Sequence, residues 1–317
     1  MKRILGNIQH TPTIQRGKVR AHPNTGWCTT RRDSPLLAPM LYIYYNADLL
    51  DLPNDKGESL GFIDDIVYGV QGSTAAGNAR KLGNMLQEAE AWRKKHVAQF
   101  ETSKSVLVHY TRNRQQATKA SVKIGKATIN PSNKAKYLGV ILDQDFRFKT
   151  HMQQVIKRGM TAAMALSSIV KSRWGTHYQY AQLFKATIAT GTDYAPCISH
   201  RPRSDGKNAS QPRRLVTVQR LAMRAITWCY KTTPTTAMEI EADRQPPAIR
   251  VQTSALHSLS RMRSLSARHP IQAWITDALS LRTAQITHLW NLESILHQFR
   301  HMRERTETIE TFIRPPW

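Results

Sequence analysis

The stretch Gly61-Phe62-Ile63-Asp64-Asp65-Ile66 sets two adjacent carboxylates inside a run of apolar, β-prone residues. Ile63, Ile66, Val67, Tyr68 and Val70 favour a pleated strand, and Asn54-Asp55-Lys56-Gly57 just upstream reads as a turn feeding it. Successive strand residues face opposite sides, so Asp64 and Asp65 converge only where a turn separates them. A hairpin tip supplies that turn, and both carboxylates can then reach a divalent cation, which prefers hard oxygen ligands. Two such ions, bridging the attacking and leaving oxygens of an in-line displacement, are the usual device for nucleotidyl transfer. The plainer alternative is a solvated turn that carries two acids.

An aromatic, any residue, then Asp-Asp, as in Phe62-Ile63-Asp64-Asp65, resembles the metal-binding hairpin of the reverse-transcriptase palm. Other segments resemble the reverse transcriptase of LINE-type, non-LTR retrotransposons, and they follow that family's order. Asp33-Ser34-Pro35-Leu36-Leu37-Ala38-Pro39 with Tyr45-Asn46-Ala47-Asp48-Leu49-Leu50 is similar to the family's Gln-Gly-Ser-Pro-Leu-Ser-Pro segment, departing from it at Arg32, Asp33 and Leu37-Ala38. The resemblance implies that Ser34, Pro35 and Phe62 lie in the template and nucleotide region. Gly77 to Lys95 has apolar residues at Leu82, Met85, Leu86, Ala89 and Trp92, the spacing of a one-sided helix. Phe100-Glu101-Thr102-Ser103-Lys104 through Tyr110 resembles a family strand whose lysine, here Lys104, stands near the nucleotide phosphates; an ordinary exposed lysine is the alternative. Lys136 to Asp143 resembles the primer-gripping hairpin, with Tyr137, Leu138 and Gly139 at the grip; without the resemblance it reads as a hairpin turning at Asp143-Gln144-Asp145. Leu183 to Ile188, Asp193-Tyr194-Ala195, Gln219 to Thr227 and Lys231-Thr232-Thr233-Pro234 resemble the family's helical thumb. The resemblance runs over about residues 33 to 270.

It implies an α+β chain: a partial right-hand polymerase palm, with a small antiparallel sheet and helices, followed by a mainly α-helical thumb. The expected divisions are a basic segment at 1–32, palm at 33–150, thumb and connection at 151–300 and a tail at 301–317. The implied activity is RNA-directed DNA polymerisation, with Asp64 and Asp65 on Mg2+, Lys104 by the phosphates, and an RNA template and DNA primer as partners. Such a site needs a third carboxylate from a separate strand, and no Asp or Glu precedes Asp33. The chain therefore reads as a truncated copy, lacking fingers and the first palm strand, whose catalysis is impaired. Catalysis would require an acid from another chain, or from Asp48 or Asp51. A non-enzymatic RNA- and DNA-binding remnant is the second reading, and a relic with exposed apolar surface is the third.

Composition favours a polyanionic partner. The 317 residues carry a formal net charge of +24, and Phe146 to Met238 holds fifteen Lys and Arg against Asp193 and Asp205. Lysines and arginines on phosphates release counterions, giving affinity that falls with salt and depends little on sequence. Lys149, Arg158, Lys171, Arg173, Arg213, Arg214, Arg220 and Arg224 are the candidate contacts, and Trp174, Tyr178, Tyr180, Trp228 and Tyr230 could stack on bases or fill a core. Cys28, Cys197 and Cys229 form no CxxC pair, which argues against zinc and for free thiols in a reducing compartment. No apolar run approaches the ~20 residues of a membrane helix. An intracellular protein, nuclear or cytoplasmic, is expected. Arg201 to Arg214 reads as a loop, and Glu304, Glu307 and Glu310 as one solvated helix face.

Overall fold

Arg16, Lys18 and Arg20 alternate with Gly17, Val19 and Ala21, and this period of two builds β1 (Thr13–Ala21). The computed structural model describes residues 13–21, 37–52, 57–110, 120–145, 147–170, 177–199, 210–269, 271–273 and 275–276. The chain divides into two units, Met1–Phe148 and Lys149–Trp317.

In the first unit β1 is an interior strand. On one side it pairs antiparallel with β3 (Asp65–Val70), in a register that sets Thr13 opposite Val70 and Lys18 opposite Asp65. On the other it pairs with β4 (Ala98–Phe100) through Val19 to Ala21, and with β5 (Val106–His109) through Thr13 to Arg16. β2 (Glu58–Phe62) completes the sheet as the hairpin partner of β3. The expected sheet without its first strand is therefore corrected. Residues 13–21 supply a strand beside β3, because backbone pairing needs donors and acceptors in register rather than apolar side chains.

Three helices lie among the described residues of this unit. They are α1 (Leu37–Tyr45), α2 (Ala47–Asp51) and α3 (Ala75–Lys95). The α3 stripe predicted from spacing is the buried one: Leu82, Met85, Leu86, Ala89 and Trp92 pack with Ile66, Tyr68, Val70 and Leu107. Thr74 caps the helix by accepting the Gly77 amide at 3.1 Å, and Arg93, Lys94 and Lys95 in the last turn suit the negative end of its dipole. A hairpin not foreseen, β6 (Val122–Ile124) and β7 (Ala127–Ile129), adds Val122, Ile124 and Ile129 to that core. A second hairpin, β8 (Lys134–Tyr137) and β9 (Val140–Asp143), turns at Leu138 and Gly139, both with positive φ, 44° and 85°. The turn expected at Asp143-Gln144-Asp145 is thus misplaced. Asp143 instead accepts the Arg147 amide at 2.7 Å, and the Gln144 amide group donates to the His109 carbonyl at 2.8 Å.

The described part of the second unit is helical: α4 (Lys149–Ile169), α5 (His177–Phe184), α6 (Pro196–Ser199), α7 (Ser210–Thr227), α8 (Thr235–Glu241) and α9 (Pro247–Arg263). Beyond α5 the helix continues through a π-helical turn, Lys185–Ala189, to a last α turn, Thr190–Thr192. Ser210 to Arg214, read from composition as loop, is helix; its Gln, Pro and two Arg are tolerated in a first turn, where amides lack intrahelical partners anyway. Ala163, Leu166, Phe184, Ile188, Val218, Ala222, Met223, Ile226 and Met238 fill the core. A Cβ on Gly159 would meet Thr192 and Val218 side-chain carbons at 3.0 Å, so α4 approaches both at a glycine.

Four helical segments are tied by polar groups. The Arg250 guanidinium donates to both Asp193 carboxylate oxygens and to the Gln219 side-chain oxygen, and stands 5.7 Å from the centre of the Phe184 ring. Gln219 in turn donates to the Glu239 carboxylate at 2.7 Å and to the Gln245 carbonyl at 3.0 Å. Burial pushes the Glu239 carboxyl above the ordinary glutamate value, opposed in part by Gln219 and the Arg250 charge.

Leu82→Ala is expected to destabilise the protein by about 2–5 kcal/mol, the cost of an emptied core site, read as a lower urea midpoint with unchanged m-value. The raised Glu239 pKa gives the folded state the greater proton affinity. Its contribution is complete below the unfolded value of about 4.3 and is lost as pH rises through the folded value. Glu239→Gln should remove that slope from a plot of unfolding midpoint against pH.

Candidate functional site

Two residues, Ile63 and Asp64, close the hairpin between β2 and β3, with Phe62 opposite Asp65 as the last pair. Ile63 takes φ of 53°, a backbone conformation that a β-branched residue adopts only under strain. The strain is held from below. Buried Asn46, between α1 and α2, donates its side-chain amide to the Ile63 carbonyl at 3.0 Å. The Tyr68 hydroxyl donates to the Leu49 carbonyl at 2.9 Å, Ser59 donates to the Leu50 carbonyl, and Gly61 leaves only enough room for the Leu50 side chain. The pair of acids is therefore at a braced hairpin tip. Asp64 is half-buried in the turn, whereas Asp65, at 6% exposure, begins the interior strand β3.

The backbone register brings Lys18 opposite Asp65, and the charged residues of β1 are Arg16, Lys18 and Arg20, all basic. Among the described residues, no group of three or more His, Cys, Asp or Glu is placed to share a metal ion. Asp48 is exposed and lies 4.0 Å from the His96 ring, and Asp51 is exposed on α2. Neither joins Asp64 and Asp65. Among the described residues the donor set, Asp64 and Asp65, is too small for a two-ion centre.

Lys104 ends a 3-10 turn (Thr102–Lys104), half exposed, with its ammonium 3.5 Å from the Glu101 carboxylate. A cleft of about 350 Å3 in this unit is lined by Glu90, Arg93, Phe100, Thr102, Gly125 and Lys126 among others, and by none of Asp64, Asp65 and Lys104. Phe62 is exposed beside the tip; Leu60 on β2 and Met40, Ile43 and Tyr44 on α1 are exposed too. Tyr137, Leu138 and Gly139 lie at the turn of the β8–β9 hairpin.

In the second unit Arg214 and Arg220 are exposed and Arg224 is half-buried on α7, while Lys149 and Arg158 lie on α4. Ser34, Pro35, Lys171 and Arg173 lie outside the described residues, as do Trp174, Cys28 and Glu304, Glu307 and Glu310; Arg213 is described only as a position in α7. Tyr180 packs against the core. Cys229 is a free thiol.

Two curated proteins are similar to this chain at low identity. The chain is 26% identical over 206 residues to a "Probable RNA-directed DNA polymerase from transposon BS" of Drosophila melanogaster, covering 61% of this chain and 22% of that protein. It is 22% identical over 188 residues to a "Putative 115 kDa protein in type-1 retrotransposable element R1DM" of the same organism, covering 58% and 18%. This chain therefore matches about a fifth of the length of these relatives. No protein-family model matches it, and no solved structure does so significantly. The sequence is thus related, at low identity, to retrotransposon proteins that include an RNA-directed DNA polymerase. In the described residues no helix is long and apolar enough to cross a membrane.

Asn46→Ala is expected to cost about 1–2 kcal/mol by leaving the Ile63 carbonyl without its buried donor. Hydrogen exchange should then quicken at the amides of Asp64 and Asp65 more than at those of α3.

Proposed function

We propose that this chain is a LINE-type reverse-transcriptase polypeptide whose palm-like first unit has kept its acidic hairpin but not a metal-competent centre, and which binds RNA and DNA without extending a primer. The observation that carries this reading is the register of β1. The backbone position opposite Asp65 is filled by a lysine, a residue type that supplies no oxygen ligand for a metal ion. The hairpin fold, the order of the segments and the similarity to the transposon polymerase support the family; the α-helical second unit corresponds to its thumb.

Mg2+ would supply charge neutralisation of phosphates and of the leaving oxygen in the family's reaction. Asp64 and Asp65 alone are too few ligands for two ions, so no catalytic step is derived through them. What the residues in hand do is bind: fifteen Lys and Arg over Phe146 to Met238 face two acids. The resulting affinity is electrostatic and falls with salt.

Purified chain is expected to give no primer extension on an RNA template with Mg2+ or Mn2+, while gel-shift binding of the same template–primer persists at low salt and weakens steeply between about 50 and 200 mM. Asp64→Asn with Asp65→Asn should leave that binding unchanged. Extension by the wild type that the double variant loses would overturn the reading.

A further inference from the structure

Trp228 and Tyr230, at the end of α7, are 53% and 85% exposed. A protein interior is where such rings normally go, and two large aromatics left in water within three residues call for a ligand with an apolar face. The backbone points the same way. Trp228 takes φ of 59°, in the left-handed region, although its amide still donates to the Arg224 carbonyl at 3.1 Å. Strain at a bulky residue persists where the surroundings hold it, and such residues cluster at binding sites.

The electrostatic setting selects the ligand. From Gly206 to Met238 the sequence contains no Asp or Glu; Arg220 and Arg224, four apart, share one side of α7, and Trp228 follows directly on the helix's last residue. Arg220 also donates to the Lys231 carbonyl at 3.0 Å, fixing the segment that carries Tyr230 against the helix, and Lys231 itself is exposed. Cations along one side with two exposed rings at its end are the arrangement that takes a single strand: phosphates on the guanidinium groups, bases on the rings. A duplex, whose bases are stacked on each other, offers the rings nothing.

We infer that Trp228 and Tyr230, flanked by Arg220, Arg224 and Lys231, form a platform on which bases of single-stranded RNA or DNA stack. The inference rests on the nucleic-acid reading above for the class of its ligand, and it adds the residues and the strandedness. The test is fluorescence anisotropy of three labelled 12-mers, oligo-dT, oligo-U and an abasic strand of equal charge, with the full chain, Trp228→Gly, Tyr230→Ala and the two combined. The wild type should prefer the base-bearing strands by about tenfold or more over the abasic one. The combined variant should bind all three alike, at the affinity the wild type shows for the abasic strand. Trp228→Phe should retain most of the preference. Because glycine relieves the left-handed backbone, Trp228→Gly should keep or raise the unfolding midpoint, which separates loss of binding from loss of fold. Equal binding of abasic and base-bearing strands by the wild type, or a preference that survives in the combined variant, overturns the platform. In that result salt-sensitive binding still stands, and only its loss would bear on the proposed function.

Discussion

The first unit depends on the hydrogen bonding of one strand along both of its edges. β1 joins the acidic hairpin on one side to β4 and β5 on the other, and among the described strands nothing else connects these two halves of the sheet. An interior strand of this kind has its register fixed twice, once by each neighbour. A slip of one residue would turn every side chain to the opposite face and would replace Lys18 opposite Asp65 with Gly17 or Val19. The chemistry available at the hairpin tip is therefore decided by pairing more than by the hairpin's own sequence.

Much of this architecture was legible in the residues. Asp64 and Asp65 sit at a hairpin tip because apolar β-branched residues flank a pair that cannot be buried in mid-strand, and the α3 stripe is a plain 3.6-residue pattern. β1 was missed because its alternation is of cations with small residues, a signal that apolar periodicity does not register. The β8–β9 turn was misplaced for a different reason. Asp143-Gln144-Asp145 has turn composition, but Leu138-Gly139 has two residues between matched strands, and strand twist favours a tight loop with positive φ over a longer polar one. What the residues allowed to be read of function is a relationship to retrotransposon proteins; no single spacing identifies a polymerase, and the low identity to the transposon relatives is spread over a fifth of their length.

The second unit shows how a basic chain builds a core without like-charge repulsion. Arg250 is turned toward the core and well employed, with two carboxylate oxygens, an amide oxygen and an aromatic face around it. A guanidinium suits that position because its planar fork meets several acceptors at once, which an ammonium cannot do with the same geometry. On α7, Arg214 and Arg220 face outward and Arg224 is half-buried, as the amphipathic pattern of that helix allows.

The π-helical turn at Lys185–Ala189 fixes which way the end of the α5 segment faces. Relative to a continuous α-helix, such a turn accommodates about one extra residue, equivalent to a rotation on the order of 100° for everything downstream. Thr192 and Asp193 come after it, and they meet Arg250 with that rotation included. The length of this helix is thus a phase as well as a distance. Loss of a single codon between positions 185 and 187 would spare the core residues Ile188 and Ala189 and let the turn close as regular α-helix with Asp193 still in phase with its partner, whereas a further insertion there would swing Asp193 away, so in a drifting lineage this short segment should tolerate a deletion better than an insertion.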